Sequence, residues 1–154
     1  MGLDMYLSAK KYMSKYFDPA DSEKIAKINE LFGVTGEEDG DYNAQEVIFR
    51  VAYWRKANAI HQWFVDNCQD GVDECQETYV TREKLRELLD LCEQIIKEPR
   101  KGEELLPTQG GFFFGSTEYD EWYMQDVKQT ATRLTKLLGD PAFARCDFYY
   151  QSSW

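Results

Sequence analysis

Apolar residues along this chain switch repeatedly between two spacings, every second residue and every third or fourth, so strands and helices must alternate along it. Leu3, Met5 and Leu7 alternate with polar neighbours, which predicts a strand over residues 2–8. Ile25, Ile28, Leu31 and Phe32 then follow at helical spacing. Asp18 stands where an N-cap is expected, Pro19 at the first helical position and Gly33 at the stop. Residues 45–54 read as a second strand, with Val47, Phe49, Val51 and Tyr53 on one face. Ile48, Ala52 and Trp54 lie on the other, so both faces are expected to be covered.

A helix is predicted from Arg55 to Cys68, with Ala57, Ile60, Trp63 and Phe64 as its apolar stripe. After a polar loop through Asp70, Gly71 and Glu77, Thr81 is placed to cap a helix that carries Leu85, Leu88, Leu89, Cys92, Ile95 and Ile96 on one side. Pro99 and Gly102 are expected to close it. Ser116 or Thr117 is expected to cap a last helix with Tyr119, Trp122, Tyr123, Val127, Leu134 and Leu138 inside, ended by Gly139-Asp140-Pro141. Residues 146–151 form a candidate closing strand. The order predicts an α+β fold, a small and mostly antiparallel sheet of about three strands packed with four helices. With 154 residues the chain has the length of one globular domain, 1–154.

Composition narrows the function classes. Apolar residues make up 43% of the chain, enough for a packed core rather than a disordered regulator. The apolar runs, Gly111–Gly115 among them, are only a few residues long, far too short to span a membrane. The opening MGLDMYLSAKK lacks the charged start and apolar stretch of a secretion signal, so the expected location is cytoplasmic. Cys68, Cys75, Cys92 and Cys146 are accordingly expected to be reduced. A formal net charge of −10 repels phosphate backbones, which argues against general nucleic-acid binding. It leaves room for an acidic inhibitor, or a mimic of nucleic acid, that presents carboxylates to a basic partner protein, the acidic segment 37–41 being the candidate contact. The plainer reading is that these acids keep the protein soluble.

Two segments concentrate chemistry. If the helix begins near Arg55, then Arg55, Asn58 and Gln62 share a face, with His61 beside Asn58 and with Trp54 and Lys56 adjacent. Cations, amides, an imidazole and a helix N-terminus suit an anionic, hydrogen-bonding ligand such as a nucleotide phosphate. The alternative is solvated charges around a histidine that packs. In LLPTQGGFFFGST, Gly110 and Gly111 permit close backbone approach, and Ser116, Thr117 and Tyr119 follow at an expected helix start. The spacing is not that of a phosphate-binding loop, and acids open the helix. The neighbouring aromatics are either a stacking wall or core. With one histidine, a two-histidine metal site is excluded, and neither Asp120 with Glu121 nor Asp70 with Asp73 follows a calcium-loop pattern. No metal, cofactor or catalytic residue is assigned, although His61 remains available as a general base for a nucleotide-processing enzyme.

The segments AYWRKANAIHQWFV at 52–65, LLPTQGGFFFGSTEYDEWY at 105–123 and YQSSW at 150–154, with the opening MGLDMYL, resemble an uncharacterised family of small bacteriophage and bacterial proteins. The resemblance runs from end to end and brings no settled activity, cofactor or catalytic residue. It implies a setting in an infected bacterium's cytosol, where small accessory proteins counter host defences or redirect host enzymes. The partners this suggests are a small anionic or nucleotide-like molecule, or a host protein. A homo-oligomer is compatible with either.

Overall fold

The computed structural model of the chain describes residues 2–36 and 42–154. Their elements run β1 (Asp4–Tyr12), α1 (Asp21–Phe32), β2 (Glu46–Arg55), α2 (Asn58–Cys68), β3 (Thr78–Val80), α3 (Arg82–Lys97), α4 (Gly102–Leu105), α5 (Glu121–Gly139) and β4 (Asp147–Ser153). The fold is α+β, with the four strands in one antiparallel sheet of order β2-β1-β4-β3. No described helix is long and apolar enough to cross a membrane. Two compact units divide the chain, one of residues 1–9 and 50–154 and one of residues 10–49, so the boundary cuts through β1 and β2.

The core of the larger unit follows from the period-two pattern. Leu3, just before β1, and Met5, Leu7 and Ala9 within it are wholly buried, while Asp4, Tyr6 and Ser8 between them are only half-buried. On β4, Phe148, Tyr150 and Ser152 point inward in the same way. Helices α3 and α5 pack against one another. They add Leu85, Leu88, Cys92 and Ile95 from one side and Tyr123, Val127, Leu134 and Leu137 from the other. At about 1.5–3 kcal/mol for each fully buried large apolar side chain, this layer dominates the stability of the unit. Thr81 caps α3 as its sequence predicts, its hydroxyl accepting from the Lys84 N–H at 3.1 Å.

Several boundaries differ from the sequence reading, each for a local reason. Helix α1 begins at Asp21 instead of Pro19. Asp18 turns its carboxylate onto the Ala20 N–H (3.0 Å), and Asp21 buries its own against the Ser14 N–H at 3.1 Å. That backbone hydrogen bond holds the Asp21 carboxyl below its ordinary value. Gly33 does end the helix, in the left-handed conformation at φ 67°. Helix α2 begins at Asn58, so Arg55 and Lys56 do not lie on its face. Arg55 closes β2, and Lys56 turns the corner at φ 57° because its N–H is taken by the Leu3 carbonyl at 2.8 Å.

Gly102 opens α4 and does not terminate the preceding helix. Helix α5 is capped by Asp120, which accepts from the Trp122 and Tyr123 N–H groups, and not by Ser116 or Thr117. Strand β3 went unread in the polar loop; it pairs with β4 through Thr78–Tyr150, Tyr79–Tyr149 and Val80–Phe148. Nor is β2 covered on both faces, since Ala52 and Trp54 are buried whereas Ile48, Phe49 and Tyr53 are exposed. The acidic segment 37–41 lies outside the described residues.

Candidate functional site

The two chemistry-bearing segments do meet in space, at the corner between β2 and α2. Residues 107–119 cross this corner as a strap, and Asn58 is the fastener. Its side-chain amide donates to the Phe114 carbonyl (3.0 Å) and the Ser116 carbonyl (2.8 Å), and its oxygen accepts from the Gln109 N–H at 3.0 Å. The Leu3 N–H holds the strap again, through the Phe113 carbonyl at 3.0 Å. Gly115, at φ 89°, lies so close to Lys56 that an added Cβ would come within 3.1 Å of the lysine Cβ. Glycine is therefore required there twice over, by backbone conformation and by space. At Gly111 an added Cβ would stand 2.8 Å from the Phe114 ring.

Most of the predicted ligand-binding side chains are occupied within the fold. Asn58 is buried, with the three bonds just given. Trp54 is buried too, its indole N–H donating to Thr130 Oγ1 at 2.8 Å. Gln62 turns to Asp66 of its own helix at 2.8 Å. The Ser116 hydroxyl accepts from the Glu118 N–H, and Thr108 donates through its Oγ1 to the Thr117 carbonyl and through its N–H to the Tyr119 hydroxyl. Gly110 and Gly111 are exposed on the strap, as are Arg55 and Lys56 at the corner. Neither Arg55 nor Lys56 has an ion-pair partner among the described residues.

His61 has no exposed surface. Its Nδ1 lies 2.7 Å from the Tyr150 hydroxyl and its Nε2 lies 3.0 Å from the Asp73 carboxylate, while Phe114 packs edge-on at 5.2 Å. Burial holds the Tyr150 phenol well above its ordinary value, so the hydroxyl keeps its proton; the Asp73 carboxylate only accepts, and the neutral tautomer that suits both partners has Tyr150 donating to Nδ1. Nε2 then carries the imidazole proton and donates to Asp73. Asp73 also accepts from Ser152 (3.5 Å) and from the Trp154 indole (3.3 Å), which closes a network between α2, the loop before β3 and the end of β4. With both nitrogens engaged and no exposure, the ring faces no ligand. The four cysteines are free, and burial pushes Cys68 to about 11 and Cys92 to about 12, away from nucleophilic thiolate. Among the described residues no three His, Cys, Asp or Glu side chains gather to hold a metal.

Comparison with family models, with curated proteins and with solved structures found no significant match. The site therefore has to be read from its own geometry.

That geometry contains a surface the sequence reading passed over, the face of the sheet turned away from the core of the larger unit. The residues of β1 and β4 that alternate with buried ones supply Tyr6, Ser8, Tyr149, Gln151 and Ser153. Arg50 lays its guanidinium over the Tyr6 ring at 4.5 Å, and Tyr6 meets Tyr53 at 5.5 Å. Tyr79 stands edge-on to Tyr149 at 5.7 Å. A cavity of about 440 Å³ opens here, lined by Tyr6, Ser8, Arg50, Glu77 and Tyr149 among others. Gln151 bridges its rim to the Cys75 carbonyl at 3.0 Å. The signal was in the sequence: tyrosines stand at the outward positions of β1 and β4, where they meet Tyr53 and Tyr79 of the neighbouring strands.

Proposed function

We propose that this protein binds a small phosphorylated or nucleotide-like ligand without transforming it, and that the ligand sits on the outward sheet face around Arg50. The observation that carries the reading is the cavity of about 440 Å³ in which a guanidinium, two tyrosine rings and serine hydroxyls converge. Its volume falls in the range of about 300–1,000 Å³ that small-molecule sites occupy. Tyrosine faces stack on a base, the guanidinium of Arg50 meets a phosphate, and Glu77 accepts from sugar hydroxyls. The sealed imidazole of His61 and the burial-raised thiols of Cys68 and Cys92 favour capture over turnover, Cys75 being the one thiol on the cavity wall. In the phage setting that the resemblance implies, such capture would withdraw a host signal from circulation.

A second location has one observation in its favour. Arg55 and Lys56 stand exposed beside the strap, without an ion-pair partner among the described residues, and suit a phosphate there. One experiment separates the two. Thermal unfolding is followed with mononucleotides, cyclic oligonucleotides, ADP-ribose derivatives and phosphosugars, for the wild type, Arg50→Ala and Arg55→Ala. A ligand at about 100 times its dissociation constant adds roughly 2.7 kcal/mol, a shift of several degrees at this chain length. Loss of the shift in Arg50→Ala alone supports the sheet face, and loss in Arg55→Ala alone moves the ligand to the corner. No shift with any compound sinks the reading.

A further inference from the structure

The unit of residues 10–49 has almost no core of its own. Met13 is the one large apolar side chain buried among its described residues; the other buried side chains there are the polar Asp21 and Asn29. Nine of the large apolar side chains that stand exposed in this protein belong to this unit, Leu31 at 81%, Phe32 at 80%, Tyr16 at 82% and Phe17 at 78% among them. At roughly 150–250 Å² for a large aromatic, this amounts to apolar exposure on the order of 1,000 Å². Isolated exposed leucines need no explanation, but a concentration of this size marks an interface. It also exceeds the ~800 Å² that each partner contributes to a stable protein–protein contact.

The same unit carries a recess. A cavity of about 580 Å³ is lined by apolar residues such as Tyr12, Met13 and Ile25 and by about as many polar ones, Lys15, Asn29 and Glu30 among them. Asn29 is held there by the Ala44 N–H at 2.9 Å and by Asn43 at 2.9 Å, so the recess has a fixed wall. Leu31, Phe32 and Phe17 are not part of its lining. The unit thus bears both exposed apolar side chains and a hole large enough for a pair of them. That is the requirement of a two-fold contact, in which each copy must present the same patch and the patch must complement itself. Strand β2 adds to this. It lies at the edge of the sheet, and its first residues leave Ile48 and Phe49 exposed, the kind of edge that a protein ordinarily covers.

We infer that residues 10–49 are a dimerisation arm, which completes its core against the same arm of a second copy by seating the Leu31–Phe32 end of α1 in the partner's recess. The arm carries five lysines against nine carboxylates, so its apolar contact has to outweigh a modest repulsion between like-charged copies. The inference does not depend on the ligand reading.

The test is the oligomeric state of the full chain by sedimentation velocity and light scattering across roughly 1–100 μM, where dimers of modest affinity dissociate. The wild type is expected to be a dimer with a concentration-dependent Tm. Leu31→Glu with Phe32→Glu is expected to be monomeric over the same range, with unchanged far-ultraviolet circular dichroism, because both side chains are exposed in the single chain. Should that pair disturb α1, Phe17→Lys, which lies outside any helix, is expected to weaken the dimer without touching the recess. A wild type that stays monomeric throughout overturns the inference and leaves the arm to a different protein. A dimer that survives all of these substitutions overturns it as well.

Discussion

Tyr150→Phe deletes one oxygen atom and leaves the rest of the side chain where it is, stacked on Phe64 at 4.0 Å with the rings 8° from parallel. Little packing is lost, so the change isolates the 2.7 Å hydrogen bond to His61 Nδ1. That nitrogen is wholly buried, with the Phe114 ring beside it, and Tyr150 is its one hydrogen-bond partner among the described residues. A second proton on the imidazole gives no escape, because an Nδ1–H would be as unpaired as the bare lone pair. The expected loss is therefore that of a buried polar atom left unsatisfied, about 1–3 kcal/mol, and not the smaller net value of an average hydrogen bond. At about 2–4 °C per kcal/mol for a chain of this size, a loss near 2 kcal/mol lowers Tm by roughly 4–8 °C. With a urea m-value of about 2 kcal/mol/M, the midpoint falls by about 1 M at constant m.

Adding His61→Leu to Tyr150→Phe removes the orphaned nitrogen, so the double variant is expected to be more stable than Tyr150→Phe alone. Asp73 then keeps Ser152, Trp154 and the water that reaches its partly exposed carboxylate. Urea unfolding monitored by circular dichroism measures each difference, and nitrogen-15 shifts of the imidazole report the tautomer. A Tyr150→Phe protein within about 0.5 kcal/mol of wild type, the range of a surface substitution, would refute the reasoning. So would an imidazole protonated at Nδ1 in the native protein. The same network joins the loop before β3 to the end of β4, and both supply the rim of the Arg50 cavity. Ligand affinity is therefore expected to fall along with stability in Tyr150→Phe.

Two further outcomes follow from the larger unit. Gly102→Ala gains up to about 1 kcal/mol of helix propensity in α4 but brings its Cβ within 2.8 Å of the Tyr123 hydroxyl, which is itself fixed by the Leu106 carbonyl at 2.9 Å. Overpacking at about 1–3 kcal/mol wins, so Tm should fall, and a neutral or stabilised variant would show that Tyr123 yields freely. Burial raises the Asp126 carboxyl from 3.8 to about 6, so its charged form opposes folding at neutral pH, and that penalty fades as the pH falls through 6 and is gone below 3.8. The full shift corresponds to about 3 kcal/mol, but the carboxylate is partly open to water, and about 1–2 kcal/mol is the reasonable expectation. Asp126→Asn should therefore be more stable than wild type near neutrality and lose that advantage in acid; urea midpoints that differ by the same amount at every pH would contradict it.

What the sequence made legible, and what it hid, divides along a physical line. Strands β1 and β4 were readable because one face of each is fully buried, so Leu3, Met5 and Leu7 have to alternate with polar residues. Helix α3 was readable from a broad apolar stripe and from Thr81, whose cap requires only local geometry. Strand β3 was hidden because it has three residues, one of them buried, and exists through its pairing with β4. The starts of α2 and α5 moved for tertiary reasons. The Leu3 carbonyl draws Lys56 into a positive φ, and Asn58 holds the strap so that Asp120 becomes the first residue able to cap.

The candidate site inverted for a related reason. Asn58, His61 and Gln62 attracted attention as polar residues on a mostly apolar helix, yet a buried polar group must have partners, and in this fold the partners are internal. His61 lies three residues before Phe64 on the broad apolar arc of α2, and sequence alone cannot say whether such a histidine faces water or a tyrosine from the last strand. The opposite signal was more informative. Large side chains that the core does not use, Tyr6, Tyr79 and Tyr149 on the outward sheet face and Leu31 and Phe32 at the end of α1, keep apolar surface in water at a standing cost. A fold needs its buried polar residues for its own architecture, and it has no such need for an exposed aromatic. In this protein Asn58 and His61 are engaged by the fold itself, and the proposed ligand site and the proposed contact between copies rest instead on Arg50 with its tyrosines and on the arm.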